Sequence, residues 1–325
     1  MTFKNSRLYC TFDKVEGHQF FSLDDYLNNL FTSNDPKKII KFYEWFDNRD
    51  QLIGWMKERP KGVANIHEVE GNKDIIVVIP TADYNGKYAK ECRDNVFKGL
   101  HIVFVESGVN DFYFNYAHNC NVGIRKAMEC NPKWVVVSND DVYKIDDVKI
   151  LKNELLALDG DNSYLVLTKN PGQLHSLTEH IGEGTFMRKF LLLSSKKYRN
   201  KYKIEKKFGV RILTWRDWYN QFIIKIFYKE IISVKATYAF GVISNHFINM
   251  ANLVVFDEIY INGMEDIDLS MRINKDFSQN VNFINYEINS LSGTTIGVGE
   301  FRVLRDILNK LYFQEKFYGK SKSKE

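Results

Sequence analysis

Short runs of apolar residues separated by amphipathic stretches dominate the middle of the chain. The runs 75–79, 101–105 and 134–138 are rich in Val, Ile and Phe, and each has the length and composition of a buried strand. Apolar residues at helical spacing lie between them, within 86–98 and 115–130. This alternation predicts an α/β fold whose mostly parallel sheet is flanked by helices.

The first 73 residues follow a different pattern. Apolar residues recur at helical spacing behind Asp35-Pro36, a pair that supplies an N-cap and a first-turn proline. The sequence therefore predicts a helical N-terminal extension over 1–73 and an α/β domain over 74–300. That domain contains a basic insertion at about 186–210, and a C-terminal helix with a charged tail follows over 301–325.

Polar residues follow each predicted strand. They are Thr81 with Asp83, then Glu106, then Asn139-Asp140-Asp141. Because the carboxyl ends of parallel strands meet at one edge of a sheet, these residues predict a ligand-binding edge. Two carboxylates and an amide suit a hard cation such as Mg²⁺ or Mn²⁺. The alternative is an acidic turn that caps a helix starting near Asp146.

A second acidic group, Glu265-Asp266, follows Gly263 and opens a predicted helix. The helix dipole keeps a carboxylate in a first turn ionised, and an ionised carboxylate in a cleft can act as a general base. The alternative is a well-capped surface helix. Asp268 and Arg272 stand four residues apart, which predicts an ion pair along the helix face.

Several protein classes are disfavoured by what the sequence lacks. The turn 80–86 after the first strand has one glycine, so the dinucleotide fingerprint is missing, and no P-loop motif occurs. The four cysteines are scattered, which indicates reduced thiols and no zinc site. No apolar run approaches the roughly 18 residues of a membrane span, and the N-terminus does not resemble a signal peptide. We therefore expect a cytoplasmic protein.

Taken together, the motifs resemble those of family 2 glycosyltransferases of the GT-A type, which are inverting enzymes that use nucleotide-sugar donors. The matching motifs occur in family order over roughly 74–300: Val78-Ile-Pro-Thr81, Asn119-x-Asn121-x-Gly123-Ile-x-x-Ala127, Val137-Ser-Asn-Asp-Asp-Val142, and Glu265-Asp-x-Asp-Leu269 with Arg272. The resemblance implies a hexosyltransferase-like enzyme that transfers a sugar with inversion to a glycan, lipid-linked or protein acceptor.

The resemblance also implies roles for the matched positions. Asp141 would be the main ligand of Mn²⁺ or Mg²⁺, and Asp266, paired with Glu265, would be the general base. The residues expected to contact the nucleotide sugar are Thr81, Asp83, Glu106, Asn119 and Asp140.

Two positions depart from the family pattern. Asn139 replaces the first acid of the metal motif, and the last histidine, His246, precedes the acidic pair instead of following it. In the stretch after the pair, Asn289 would offer a weaker metal ligand, while Ser292 and Thr294 would hydrogen-bond the diphosphate. These departures keep open a catalytically degenerate GT-A domain that acts as a carbohydrate- or nucleotide-binding or scaffold module.

A sugar nucleotidyltransferase is a further alternative, since it uses a related sheet and a divalent metal. It needs a basic, glycine-rich loop after the first strand to bind a triphosphate. The turn 80–86 contains neither Arg nor Lys, which argues against this alternative.

The net charge of +4 is unevenly distributed. Between Arg188 and Lys207, nine basic residues stand against the single acid Glu205, so the rest of the chain is net negative. A local basic segment does not predict nucleic-acid binding. It is consistent with peripheral contact with an anionic membrane at its inner face, with the binding of an anionic acceptor, or with a solvated insertion.

Overall fold

The computed structural model describes residues 30, 35–109, 111, 113–168, 175–176, 203–209, 235–236, 239–291 and 300–318. Ser292, Thr294 and most of the basic insertion lie outside these described residues, so the predictions made for them stay predictions.

A seven-stranded mixed sheet forms the centre of the described structure, with strand order β1-β3-β2-β4-β9-β6-β10. Five of these strands run in the same direction, whereas β1 and β9 run antiparallel to their neighbours. The strands are β1 (Asn65–Val69), β2 (Asn72–Thr81), β3 (Leu100–Glu106), β4 (Trp134–Ser138), β5 (Val142–Lys144), β6 (Leu165–Thr168), β7 (His175–Ser176), β8 (Lys235–Ala236), β9 (Phe240–Ser244), β10 (Val281–Ile284) and β11 (Ile288–Ser290). Strands β5 and β11 pair with each other, as do β7 and β8.

Helices flank this sheet and form a separate group at the chain ends. They are α1 (Pro36–Glu44), α2 (Arg49–Glu58), α3 (Lys87–Glu91), α4 (Tyr116–Met128), α5 (Val148–Leu156), α6 (Asn245–Met250), α7 (Glu265–Phe277) and α8 (Glu300–Tyr318). Helix α3 continues into a π-helical turn over Cys92–Val96. None of the helices within the described ranges has both the length and the apolar character needed to cross a membrane.

The α/β class and the sheet flanked by helices are confirmed, and all three predicted strands are present. One element differs from the prediction, because Asn65–Val69 forms an edge strand inside the expected helical extension. An edge strand buries little of either face, so the two-residue alternation that marks a strand is weak there. Asp35 caps α1 as predicted, by accepting a hydrogen bond from the backbone N–H of Lys37.

Alternate residues of β2 supply both faces of the sheet. Ile75, Val77 and Ile79 belong to the hydrophobic cluster on one face, and Ile76 and Val78 belong to the cluster on the other. The second face is covered by α4, which approaches β2 and β3 closely. Such a continuous apolar run is what a strand buried on both faces requires.

A third hydrophobic cluster joins the two ends of the chain. Helices α1, α2 and α8 pack together with Ile204 and Phe208 and with the segment that leads into α7. Lys207 lies at the end of the basic insertion, and its Nζ donates to the carbonyl of Tyr43 at 3.0 Å. The terminal helices therefore contact the α/β domain at the start of α7, next to the acidic pair.

Substitution of Gly123 tests how tightly α4 packs on the sheet, and substitution of Gly54 in α2 is the control. A Cβ on Gly123 would lie 2.4 Å from Val78 Cγ1 and 2.9 Å from Val105 Cγ2. At Gly54 in α2, no described atom outside its chain neighbours and its own helix backbone lies within 4 Å of such a Cβ. Gly123→Ala should lower the free energy of unfolding by about 1–3 kcal/mol because of overpacking. Gly54→Ala should raise it by about 0.5–1 kcal/mol, since alanine favours the helix.

Urea unfolding of the two variants and the unmodified protein measures both effects. If Gly123→Ala proves as stable as the unmodified protein, the close approach of α4 to β2 is wrong.

Candidate functional site

A hydrogen bond between two strand ends joins the first two predicted groups. Thr81 Oγ1 donates to Asp140 Oδ2 at 2.7 Å. This contact follows from topology, because β2 lies between β3 and β4 and runs parallel to both. Thr81 is also paired in register with Glu106 at the end of β3. Thr81, Glu106 and Asp140 therefore share one edge of the sheet, as predicted.

The turn after β4 places two carboxyl groups side by side. The pKa of Asp140 is raised to about 6, because burial and, to a lesser degree, the neighbouring carboxylate of Asp141 outweigh the lowering effect of the hydrogen bond from Thr81. Asp141 itself is buried. Backbone contacts fix this turn, because Cys92 Sγ donates to the carbonyl of Asp140 at 3.3 Å and Asn139 N donates to that of Ala239 at 2.9 Å. A cation at the turn would offset the repulsion between the carboxylates.

The β5–β11 ladder brings Asn289 near the same turn. Asn289 is paired in register with Tyr143, and Leu291 N donates to the carbonyl of Asp141 at 2.9 Å, which extends the ladder by one residue. Asn289 therefore lies on the same face of the ladder as Asp141, one diagonal step away. Its Oδ1 accepts from Ser290 N at 2.9 Å. The contact of Leu291 with Asp141 is the last one that the structure describes in this stretch.

The oxygen donors at this edge fit a divalent cation only in part. Among the described residues, no group of three His, Cys, Asp or Glu side chains is arranged to hold a metal ion. Asp140, Asp141 and the amides of Asn139 and Asn289 are all hard oxygen donors. A cation at this turn would therefore need ligands beyond these four side chains, and phosphate oxygens are of the right chemical type.

In this structure Asp83 accepts hydrogen bonds from backbone N–H groups. Its side chain is exposed, its Oδ1 accepts from Asn85 N at 2.9 Å, and its carbonyl accepts from Gly86 N at 3.0 Å. These bonds form the turn that leads into α3. The predicted contact of Asp83 with the nucleotide stays a prediction.

Glu106 is engaged through both carboxylate oxygens. Tyr84 N donates to Oε1 at 2.9 Å, and His67 Nε2 lies 2.9 Å from Oε2. The hydrogen bond from the Tyr84 backbone, followed by that from His67, lowers the pKa of Glu106. His67 was missed by the sequence analysis, because nothing in the sequence marks the short edge strand β1 as a neighbour of this carboxylate.

Two asparagines hold the segment that precedes the acidic pair: Asn115, the N-cap of α4, and Asn121 within α4. Asn115 Nδ2 donates to the carbonyls of Glu258 and Tyr260 at 3.0 and 2.9 Å. Asn121 donates to the carbonyl of Phe256 at 2.8 Å and accepts from the backbone N–H groups of Val255 and Phe256. The amino end of α4 follows β3, so these bonds bring residues 255–260 to the carboxyl edge of the sheet.

Asn119 lies between these two asparagines on α4. Its side chain is buried, and neither its Nδ2 nor its Oδ1 has a hydrogen-bond partner within the described part of the chain. Its predicted contact with the nucleotide sugar is not tested by this arrangement.

Glu265 and Asp266 open α7, directly after Met264 in the left-handed region at φ +70°. Glu265 is buried, and burial together with the charge of Asp266 raises its pKa to about 8. The expectation that the helix dipole keeps a carboxylate ionised here is therefore wrong for Glu265, because burial outweighs the dipole. Burial also raises the pKa of the Cys120 thiol, and the carboxylate of Glu265 adds to that rise. Glu265 therefore lies near the first turns of α4, at the carboxyl edge of the sheet.

The predicted ion pair between Asp268 and Arg272 is present, with Arg272 Nε 2.8 Å from Asp268 Oδ2. The sequence did not predict its burial or its other partners. Asp268 is fully buried, Lys316 Nζ of α8 lies 2.6 Å from its Oδ1, and the Tyr260 hydroxyl donates to it at 3.2 Å. Lys316 also lies 2.7 Å from Asp257 Oδ2. Helix α8 thus fixes the first turn of α7.

No family model matches the chain, and no curated protein matches it.

The buried carboxyl of Glu265 should make stability depend on pH. Its folded pKa of about 8 exceeds the ordinary value of 4.5, so the folded state keeps a proton that the unfolded state loses between these values. Stability is fully present below about pH 4.5 and falls as the pH rises through 8. Glu265→Gln stays neutral, so at pH 9 it should gain at least ~1 kcal/mol over the unmodified protein, relative to pH 5.

Glu258→Gln is the matched control. Burial raises the pKa of Glu258, but hydrogen bonds from Asn121 and His118 and the nearby charges of His118 and Lys61 lower it overall. Its stabilising effect is therefore present above the ordinary value and lost at lower pH, so this variant should lose stability at pH 9. Urea unfolding at both pH values measures the two changes. Equal pH dependence of Glu265→Gln and the unmodified protein would refute the buried, protonated carboxyl.

Proposed function

We propose that the chain is an inverting GT-A glycosyltransferase that transfers a sugar from a nucleotide diphosphate donor to an acceptor hydroxyl. The observation that carries the proposal is the hydrogen bond between Thr81 and Asp140, because it joins two strand ends at the edge where Asp141 and Glu106 also lie. The Asn115 and Asn121 contacts bring the acidic pair toward the same edge. Ligands of open α/β sheets bind at this edge.

At the donor end, Asp141 would be the main ligand of Mg²⁺ or Mn²⁺, with Asp140, Asn139 and Asn289 as further oxygen donors. A bound cation supplies positive charge that stabilises the diphosphate leaving group. The raised pKa of Asp140 supports this role, because two adjacent carboxylates in a partly buried turn favour a neutralising cation. Glu106 and Thr81 orient the nucleoside, and Thr81 also positions Asp140.

At the acceptor end, Asp266 is the general base. Glu265 is disfavoured in this role because a carboxyl with a pKa of about 8 keeps its proton at neutral pH. Asp266 is only half-buried and stands next to it. Neighbouring carboxyls held in different protonation states are a common arrangement in acid–base sites.

The reaction is a single displacement at the anomeric carbon. The acceptor oxygen bonds to that carbon from the face opposite the diphosphate, and its proton passes to the Asp266 carboxylate. The bond between the anomeric carbon and the diphosphate oxygen breaks, and the electron pair leaves with the diphosphate. The configuration at the carbon is inverted.

Removal of the main metal ligand should abolish the reaction. Asp141→Ala is expected to eliminate Mn²⁺-dependent transfer from a panel of UDP-, GDP- and dTDP-sugars while the fold persists. The exposed Asp161 offers a matched control, and Asp161→Ala should transfer normally. Product formation with and without Mn²⁺ measures the effect. Unchanged turnover of Asp141→Ala would reject its assignment.

Removal of the general base should reduce turnover while the protein still binds the donor. Asp266→Asn keeps the shape of the side chain but accepts a proton poorly, so kcat should fall about 10²-fold or more while donor affinity is retained. Initial rates and donor titrations separate these quantities. If Glu265→Gln is the more damaging change, the assignment within the pair is wrong. Donor binding without any turnover of the unmodified protein would instead indicate a binding module.

A further inference from the structure

The imidazole of His67 lies flat on the ring of Tyr84 beside Glu106. The two ring centroids are 4.3 Å apart and the ring planes differ by 6°. The Nε2 atom of His67 lies 2.9 Å from Glu106 Oε2. His67 comes from the edge strand β1, and 34% of its side chain remains exposed. A planar heterocycle is thus stacked on an aromatic ring and hydrogen-bonded to a carboxylate at the candidate site.

Tyr84 and Glu106 are held by contacts that do not involve His67. Tyr84 N donates to Glu106 Oε1 at 2.9 Å. The ring of Tyr84 packs edge-on against Phe104, with centroids 5.4 Å apart, and the guanidinium of Arg93 lies over it at 5.3 Å. Removal of His67 would leave one ring face and one carboxylate oxygen exposed without loosening either group.

The direction of the hydrogen bond follows from the charge of Glu106. The backbone N–H of Tyr84 and the imidazole lower the pKa of Glu106, so its carboxylate is ionised at neutral pH and only accepts. His67 Nε2 therefore carries the hydrogen. A nucleobase would use the same two contacts, with its ring stacked on Tyr84 and a ring N–H donated to Glu106.

We propose that His67 fills the nucleobase subsite of the donor when no nucleotide is bound, and that the base displaces it. This inference rests on the proposed function, which assigns Glu106 to the nucleoside. Strand β1 pairs through only one of its sides, with β3, within the described sheet, and His67 lies on it with part of its side chain in solvent. A rotation of this one side chain therefore opens the subsite while the sheet stays intact.

The same geometry selects the class of base. Glu106 Oε1 stays bonded to Tyr84 N, so the departure of His67 frees Oε2 alone. One acceptor matches one ring N–H, as in uracil or thymine. Guanine presents a ring N–H and an amino group side by side, so one donor would be left without a partner. Adenine and cytosine have no ring N–H on the corresponding edge. The site is therefore expected to take uridine or thymidine diphosphate sugars.

Nucleotide titrations of His67→Ala test the displacement. UDP, GDP and ADP are titrated with Mn²⁺ by calorimetry into the unmodified protein and the variant. Since UDP no longer displaces a stacked and hydrogen-bonded ring, its Kd should fall about fivefold to thirtyfold in the variant. UDP should bind more tightly than GDP or ADP in both proteins. Glu106→Gln should weaken UDP binding, because the charged acceptor is lost.

His246→Ala is the matched control. His246 also stacks near a tyrosine, with its ring 5.6 Å from that of Tyr164. It follows the end of β9, which lies beside the amino end of β4 and therefore away from the carboxyl edge that holds Glu106. This variant should bind UDP like the unmodified protein. In proton spectra, the imidazole signals absent from His67→Ala identify His67, and UDP should shift them.

The outcomes separate this inference from the proposed function. If UDP binds the unmodified protein and His67→Ala equally well, or binds the variant more weakly, His67 does not occupy the subsite and the inference fails alone. Tighter binding of GDP or ADP than of UDP overturns the assigned base class. If none of the three nucleotides binds either protein, the proposed function fails together with the inference.

Discussion

The side-chain amides of Asn115 and Asn121 hold residues 255–260 against α4, and the position of the acidic pair depends on these bonds. Both amides are buried and bond to backbone groups that have no partner in a regular ladder. A buried backbone group without a partner is destabilising by about 1–3 kcal/mol, so alternative positions of this segment are disfavoured. Thr81, Glu106 and Asp140 lie at one edge because the strands that they follow or end run parallel. The acidic pair lies far away in the sequence and reaches the same edge through side-chain bonds.

Helix α8 completes this arrangement through charge. Asp268 is fully buried two residues after Asp266, and it contacts Lys316 and Arg272. An isolated buried carboxylate would be unfavourable, but two cations and the Tyr260 hydroxyl compensate for its lost hydration. The C-terminal helix therefore contributes to the site although it carries none of the predicted site residues. Its Asn309 also exchanges two hydrogen bonds with the backbone of Ile261, just before the pair.

The sequence predicted those features that depend on local pattern. Buried runs gave β2, β3 and β4, and the Asp35-Pro36 pair gave the start of α1. The carboxyl-edge residues were predicted to meet because strand direction alone determines where they lie. His67 and Lys316 were missed, since each reaches the site through a long-range contact from an edge strand or a terminal helix that leaves no local signature. The hydrogen bonds of Asp83 form a turn in the structure, and its predicted contact with the nucleotide stays a prediction.

Burial and hydrogen bonding give the carboxyl groups of the site different pKa values. Glu106 accepts hydrogen bonds from Tyr84 and His67. These bonds lower its pKa, so its carboxylate stays ionised at neutral pH and only accepts hydrogen bonds. Asp140 is buried beside another carboxylate and has a pKa of about 6, which makes its charge responsive to a neighbouring cation. Glu265 is more deeply buried and keeps its proton near neutral pH. A neutral Glu265 next to Asp266 leaves one negative charge in this pair instead of two. In the proposed reaction, Asp266 would therefore accept a proton without the repulsion that two adjacent carboxylates would impose on a diphosphate.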